Sequence, residues 1–400
     1  MKALTTISLA LLASGFAKAS AAEDEPARIR LSTALLEDAV RGLLPTQIRV
    51  PPPTGEPSAT NRPSLASLTE IKYCGATDKG VGRFRVLLRL DSAEERATLG
   101  KAGCQGGIVE VAKRLAEENR GAEMAVADVE ATWRAWELRL QITRAEGTTK
   151  TTQARVAAVL EKRRELFTVP TADSRIQTSE GPIALYAVPS FLPDAVEIAI
   201  LIGTEGAPSA TSKLAVAGRE PELAGDATVA AQIPLVFANQ VLRRLTWSRP
   251  LTVPVGNEEV ELQHLSIGSQ GAGERARVTL AGNATSQAMR ETARFSLVMV
   301  GDPLRVSSVG ITPESEDCKA LDTVATVACN LRNGARVAAA QTFAASLTRR
   351  FQGIPVHELV SPQTFRVSVA EERLTFSGDL LRMALGPRGL AASARLSVPQ

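Results

Sequence analysis

Two histidines, four cysteines and aromatics at 4% of 400 residues are the first constraints this chain sets. With His264 and His357 as its whole histidine supply, a zinc hydrolase of the His-Glu-x-x-His type is excluded by motif. No Gly-x-Ser-x-Gly nucleophile elbow occurs, and Gly268-Ser269-Gln270-Gly271 reads as a hairpin turn with the wrong spacing. A phosphate-binding glycine loop followed by Lys-Ser/Thr is missing, and so is any Cys-x-x-Cys pair. The net charge of +3 is small, and it falls further without Lys2 and Lys18. That leaves no clustered basic face of the kind nucleic acid requires. No run of apolar residues is long enough to cross a bilayer, which takes about 20, and even 195–202 is only a buried strand's length. The expectation is a protein without catalysis, metal or cofactor, and without a nucleic-acid partner.

What is present begins with an address. Lys2, an apolar run over 4–13 and the small-x-small patterns Ala17-Lys18-Ala19 and Ala19-Ser20-Ala21 make residues 1–22 a secretory signal peptide. The first cysteine is Cys74, so a lipid-anchored form is not expected, and the product should be soluble and periplasmic or secreted. In an oxidising compartment four cysteines read as disulfides rather than as a metal site. Three connectivities exist, of which the local one, Cys74 with Cys104 and Cys318 with Cys329, keeps each bridge within its half of the chain.

The rest reads as α+β, in two modules over 23–210 and 211–400. Residues 27–44 are a strand entering an amphipathic helix, and 51–63, with five prolines, form an extended loop. Strands follow at 65–73 and 83–90. A helix over 107–119 buries Ile108, Val111, Ala112 and Leu115, and strands resume at 125–132 and 135–143. A charged helix is expected over 152–167. The apolar stretch 183–202 carries Pro189 and Pro193, which make it strand–turn–strand. The Gly/Ala/Ser/Pro-rich stretch 203–227 is a natural boundary. Beyond it, alternating runs over 259–267, 275–280 and 295–300 precede a helix over 334–351, with two more runs at 365–369 and 373–385.

Internal similarity supports two modules. Ala27-x-Ile29-x-Leu31-x-x-Ala34 returns as Ala231-x-Ile233-x-Leu235-x-x-Ala238. Arg83-x-Arg85-Val86-x-Leu88 returns as Arg275-x-Arg277-Val278-x-Leu280. Cys104 and Cys329 each stand ahead of a helix.

Isolated chemical groups carry less. His264 reads as a strand-face histidine; His357, with Glu358 beside it, lacks a nucleophile. Glu314, Glu316 and Asp317 crowd a loop that lacks the glycine and final glutamate of a calcium loop, so a solvated turn is expected. Trp133, Trp136 and Trp247 read as packing residues, with an apolar ligand or membrane interface as the second reading. Arginine pairs 163–164, 243–244 and 349–350 read as solvated faces, with lipid phosphates as the other partner they suit.

From Ala231 to Val398 the layout is an entry helix over 237–245, antiparallel hairpins, a helix of small residues over 334–351 and a terminal hairpin over 365–396. It resembles the tubular lipid-binding superfamily, the fold of bactericidal/permeability-increasing protein and its bacterial periplasmic relatives; the first module looks like a shorter, less regular copy. The resemblance implies a curved antiparallel sheet around a long helix, with lipid tails replacing core packing in a groove. Val337, Ala340, Ala344, Leu347 and Phe351 would line it, with Phe237, Val241 and Leu245 opposite. The expected function is binding or transport of lipid or another apolar ligand, with peripheral membrane contact in keeping. A filled core would instead make the chain an envelope interaction module that uses its strand edges. The third reading is a hydrolase with an unrecognised carboxylate pair.

Overall fold

The computed structural model describes residues 26–398 except 44–46, 51–63, 78–79, 91–96, 101–102, 135–136, 163–164, 171, 179–180, 204–220, 249, 256–257, 272, 287–291, 319–322, 360–362, 370–371 and 387. The leader, the proline-rich loop and most of the boundary stretch therefore lie outside the described residues. The architecture is mixed α+β with antiparallel sheets.

The first half opens with β1 (Ala27–Ser32) and α1 (Thr33–Leu43), followed by β2 (Gln47–Val50), β3 (Ser64–Ala76) and β4 (Gly82–Arg89). Next come α2 (Ile108–Glu118), β5 (Met124–Arg134), β6 (Glu137–Gly147), α3 (Lys150–Lys162) and β7 (Glu165–Pro170). It ends with β8 (Ala172–Thr178), β9 (Gly181–Phe191) and β10 (Ala195–Gly203). The second half begins with β11 (Val229–Ile233), α4 (Leu235–Ser248), β12 (Leu251–Val255) and β13 (Glu258–Gln270). It continues through β14 (Arg277–Ser286), β15 (Thr292–Val300), β16 (Arg305–Pro313), α5 (Thr323–Phe351) and α6 (Val356–Leu359). The last strands are β17 (Gln363–Val369), β18 (Glu372–Gly386) and β19 (Gly389–Ser397).

Two of the sheets are simple meanders, β2 to β7 and β12 to β16. The third joins the halves, in the order β17-β18-β19-β11-β1-β10-β9-β8. Its middle is an antiparallel pairing of β1 with β11, in which Arg28 faces Gln232 and Ile29 faces Ala231. Each half thus gives one strand to the centre and a three-strand run outward.

Three apolar clusters hold this together. One lies between α4, β13 to β15 and the β11-β19-β18 face of the joining sheet, around Phe237, Val241, Leu265, Val278 and Met383. A second lies between the first meander and β9-β10, around Ile71, Phe84, Val129, Phe191 and Val196. At that seam Gly82 makes room for the Phe191 ring, since a Cβ there would sit 2.4 Å from it and force the ring to move. The third is the inner face of α2, where the expected Ile108, Val111, Ala112 and Leu115 are all buried.

Several expectations need correction. The charged helix ends at Lys162, and Phe167 lies in strand β7. The long helix begins at Thr323, eleven residues before Gly334, so Gly334 sits in its interior. Strand β16, with serines at 307 and 308 and Gly310, carries too weak an alternation to be read from sequence. The cysteine parallel fails: Cys104 precedes α2, between β4 and β5, whereas Cys329 is inside α5, between β16 and β17. The strand-to-helix similarity also shifts by two residues. Helix α1 starts at Thr33 and α4 at Leu235, 202 apart, not the 204 that the sequence match implies.

That corrected spacing pairs two side chains with the same task. In α4, Asn239 donates to the Ile267 carbonyl at 2.7 Å and accepts from the Ile267 N–H at 2.6 Å. In α1, Glu37 accepts from the Tyr73 N–H at 2.8 Å. Both serve the third strand of their half beyond the reach of its short neighbour, since β12 stops pairing at Leu262 and β2 at Ser67. A helix side chain thereby replaces a missing strand, which is what unpaired backbone groups require.

Candidate functional site

The two rows of residues expected to face each other across a groove pack in different places. On α5, Ala340 and Ala344 are buried, Leu347 and Phe351 are half-buried, and Val337 is 37% exposed. This face lies on β16, where Thr348 Oγ1 accepts from the Val309 N–H at 2.9 Å. Phe237 and Val241, on α4, are 5% and 1% exposed and pack on β13 and the joining sheet, inside the first apolar cluster. The Leu245 side chain lies outside the described residues. In the meander β13 and β16 are three strands apart, about 14 Å at the usual spacing.

A cavity of about 600 Å³ opens instead over the joining sheet. Its floor is built from strand register. Arg382, Ser393 and Ala230 form one cross-strand row on β18, β19 and β11, and Ala384, Ala391 and Gln232 form the next. Four of these six are Ala or Ser, so the floor is shallow-sided and the backbone is close. Residues 221–224, before β11, supply one wall, and Leu385 and Gly386 supply another. The rim carries charge of both signs, with Glu222, Asp302, Arg382 and Arg388. Arg382 donates to Asp302 at 2.6 Å and 3.2 Å through two nitrogens. Such a volume is within the roughly 300–1,000 Å³ usual for small-molecule sites.

The rows run on beyond the cavity, through Gln232 to Arg28 and through Ala230 to Arg30 on β1. Arg28 forms a buried ion pair with Glu197 on β10, and Arg30 bonds Asp194 at 3.1 Å. Glu197 is only 5% exposed. A buried pair of this kind depends on both partners, because removing one leaves an uncompensated charge.

The hairpin that bounds the cavity is held by Gly389. Its φ of +126° is open to glycine alone, and a Cβ would lie 2.3 Å from the Ile233 carbonyl oxygen. The β18–β19 turn can therefore close against the end of β11.

The remaining candidates sort simply. His264 has φ of 51° and marks a β-bulge between Gln263 and Ser266, which turns Leu265 fully inward. His357 lies in α6, where its Nδ1 is buried with no hydrogen-bond partner among the described residues. Glu316 is held by Arg336 at 2.8 Å and Arg332 at 3.4 Å, and among the described residues no group of three potential ligands could hold a metal ion. Cys74 bonds Cys104 and Cys318 bonds Cys329. Trp133, Trp247 and the pair 243–244 lie on helices or strands whose side chains there are outside the described residues, and Trp136 and the pair 163–164 are outside altogether. Arg349 and Arg350 are exposed at the end of α5, with the Arg350 guanidinium 5.5 Å from the Phe351 ring centre. Among the described residues, no helix is long and apolar enough to cross a membrane.

No protein-family model matches this chain, and no curated protein sequence matches it. Among solved structures it is similar to P47 of Clostridium botulinum E1, with a TM-score of 0.33 and 8% identity over 93% of this chain and 99% of that one. It is also similar to a lipopolysaccharide binding protein, with a TM-score of 0.26 and 8% identity over 94% of this chain and all of that one. At those scores neither likeness bears on what this chain binds.

Proposed function

We propose that this is an exported protein of two related α+β modules in the tubular lipid-binding layout, and that it binds an apolar ligand, lipid in class, without catalysis. The observation that carries the reading is the cavity over the joining sheet, with its Ala/Ser floor and its rim of charges of both signs. An acyl chain laid on that floor gains about 0.8 kcal/mol for each methylene removed from water. The mixed rim suits a polar end that is neutral or zwitterionic, since two acids and two bases there balance. Two disulfides support an oxidising compartment. Equivalent roles of Glu37 and Asn239 in the two halves support the duplication.

Native mass spectrometry of the protein purified from its own host, with organic extraction, tests the reading. A stoichiometric lipid adduct that disappears in Ala391→Trp, with the fold intact, is the expected result. A clean apo mass, and no uptake of an added lysophospholipid, would overturn it. The burial of Phe237 and Val241 in the first apolar cluster favours a second reading, an envelope interaction module; the apo result would bring that reading forward.

A further inference from the structure

The outward side of α5 is apolar and uncovered. Along it Val324, Val327 and Leu331 are 81%, 55% and 70% exposed. The line continues through Ala338 and Thr342, also exposed, to Arg349 at the last turn. Steps of three, four and seven residues keep these on one side of a helix about 43 Å long. The opposite side, with Cys329, Ala340 and Ala344, is the one that packs. A helix with apolar residues on both sides belongs in a core, yet this one buries only one of them.

Charge says what the other side meets. The helix contains four arginines and no acidic residue. The nearby carboxylate of Glu316 is held by both Arg336 and Arg332, at 2.8 Å and 3.4 Å, and Asn333 accepts from its backbone N–H at 3.1 Å. On the outward line the charged member is Arg349, with Arg350 on one flank beside the Phe343 ring, which is 41% exposed. An apolar stripe on a helix whose own charges are all cationic fits a surface that is greasy beneath and anionic at its boundary.

We infer that the outward face of α5 docks the protein flat on an anionic lipid surface, with Val324, Val327 and Leu331 entering the acyl boundary and Arg349 and Arg350 meeting lipid phosphates. This contact is separate from the cavity and does not depend on what the cavity holds.

Flotation of the full chain with vesicles of phosphatidylglycerol and phosphatidylcholine, against phosphatidylcholine alone, tests it. Binding is expected to the anionic vesicles, and to weaken with salt as exposed charges are screened. Val327→Gln with Leu331→Gln should lower partitioning at least about tenfold, in line with the loss of two apolar anchors. Arg349→Gln with Arg350→Gln should remove most of the salt dependence. Because all four side chains are exposed or nearly so, melting temperatures should stay at the parent value. Equal binding to both vesicle types, or binding that the Gln pair leaves intact, would overturn the inference. So would a concentration-dependent dimer that the Gln pair dissociates, which would assign the face to a second copy of this chain. Ala391→Trp should leave vesicle binding unchanged, so failure of the cavity reading and failure of this one give different results.

Discussion

Asn239 does with one side chain what a neighbouring strand would do with a residue's backbone. Asn239→Ala leaves both polar groups of Ile267 without that partner, and a loss of about 2–4 kcal/mol in denaturant unfolding is expected. Glu37 holds the matching place but can only accept, and burial pushes its carboxyl above the ordinary 4.5, against the opposing pull of the Tyr73 N–H and Lys72. The folded state then binds the proton more tightly than the unfolded one, so stability falls as pH rises from 4.5 through the raised value. Glu37→Gln should therefore stabilise the protein at neutral pH, with the gain vanishing below pH 4.5 in a urea-titration series. Tyr73 lies on the same strand, 7% exposed, with its hydroxyl donating to the Leu192 carbonyl. Burial, aided by Asp194, pushes it up to about 12. It contributes stability that is complete below pH 10 and lost between 10 and 12. Ultraviolet titration should show one of the two tyrosines ionising near pH 12, absent in Tyr73→Phe.

Elements were legible where one face is buried and local. Helix α2 could be read to the residue, because Ile108, Val111, Ala112 and Leu115 repeat at helical spacing over a polar outside. The strands of β3, β4, β13 and β15 showed for the same reason at period two. Helix α5 was legible only from Gly334 onward. Its first three turns carry Val324, Val327 and Leu331 outward, so their periodicity points to solvent and not to a core. The two-residue slip in the internal repeat has a related origin, since a period of two matches itself when moved by two. The cavity was out of reach, because its floor joins residues 230 to 232 with 382 to 393 through pairings no local pattern reveals. The packed side of α5 nevertheless allows a sharp test. Ala344→Trp should cost about 1–3 kcal/mol by overpacking against β16. Replacing Cys74 and Cys104 by Ser, which opens a loop with a sequence separation of 30, should cost about 2–4 kcal/mol.

For the whole molecule the joining sheet decides how the halves relate. Residues 23–210 end in a run that leaves the β1 edge open without β11, and 211–400 leave β11 open without β1. Exposed edges of this kind seek a partner. The two segments expressed as separate chains in one cell should therefore co-purify as a single complex, checked by gel filtration and mass. Two independent monomers would show that the central pairing is incidental.

The pairing of Ile29 with Ala231 carries a final consequence. With the halves aligned at a spacing of 202, Ile29 and Ala231 are one position seen twice. The strand crossing is then a position meeting itself, as at the centre of a two-fold dimer. On the proposal that the two halves are related modules, the chain would correspond to a homodimer whose subunits were fused, closing through this one strand.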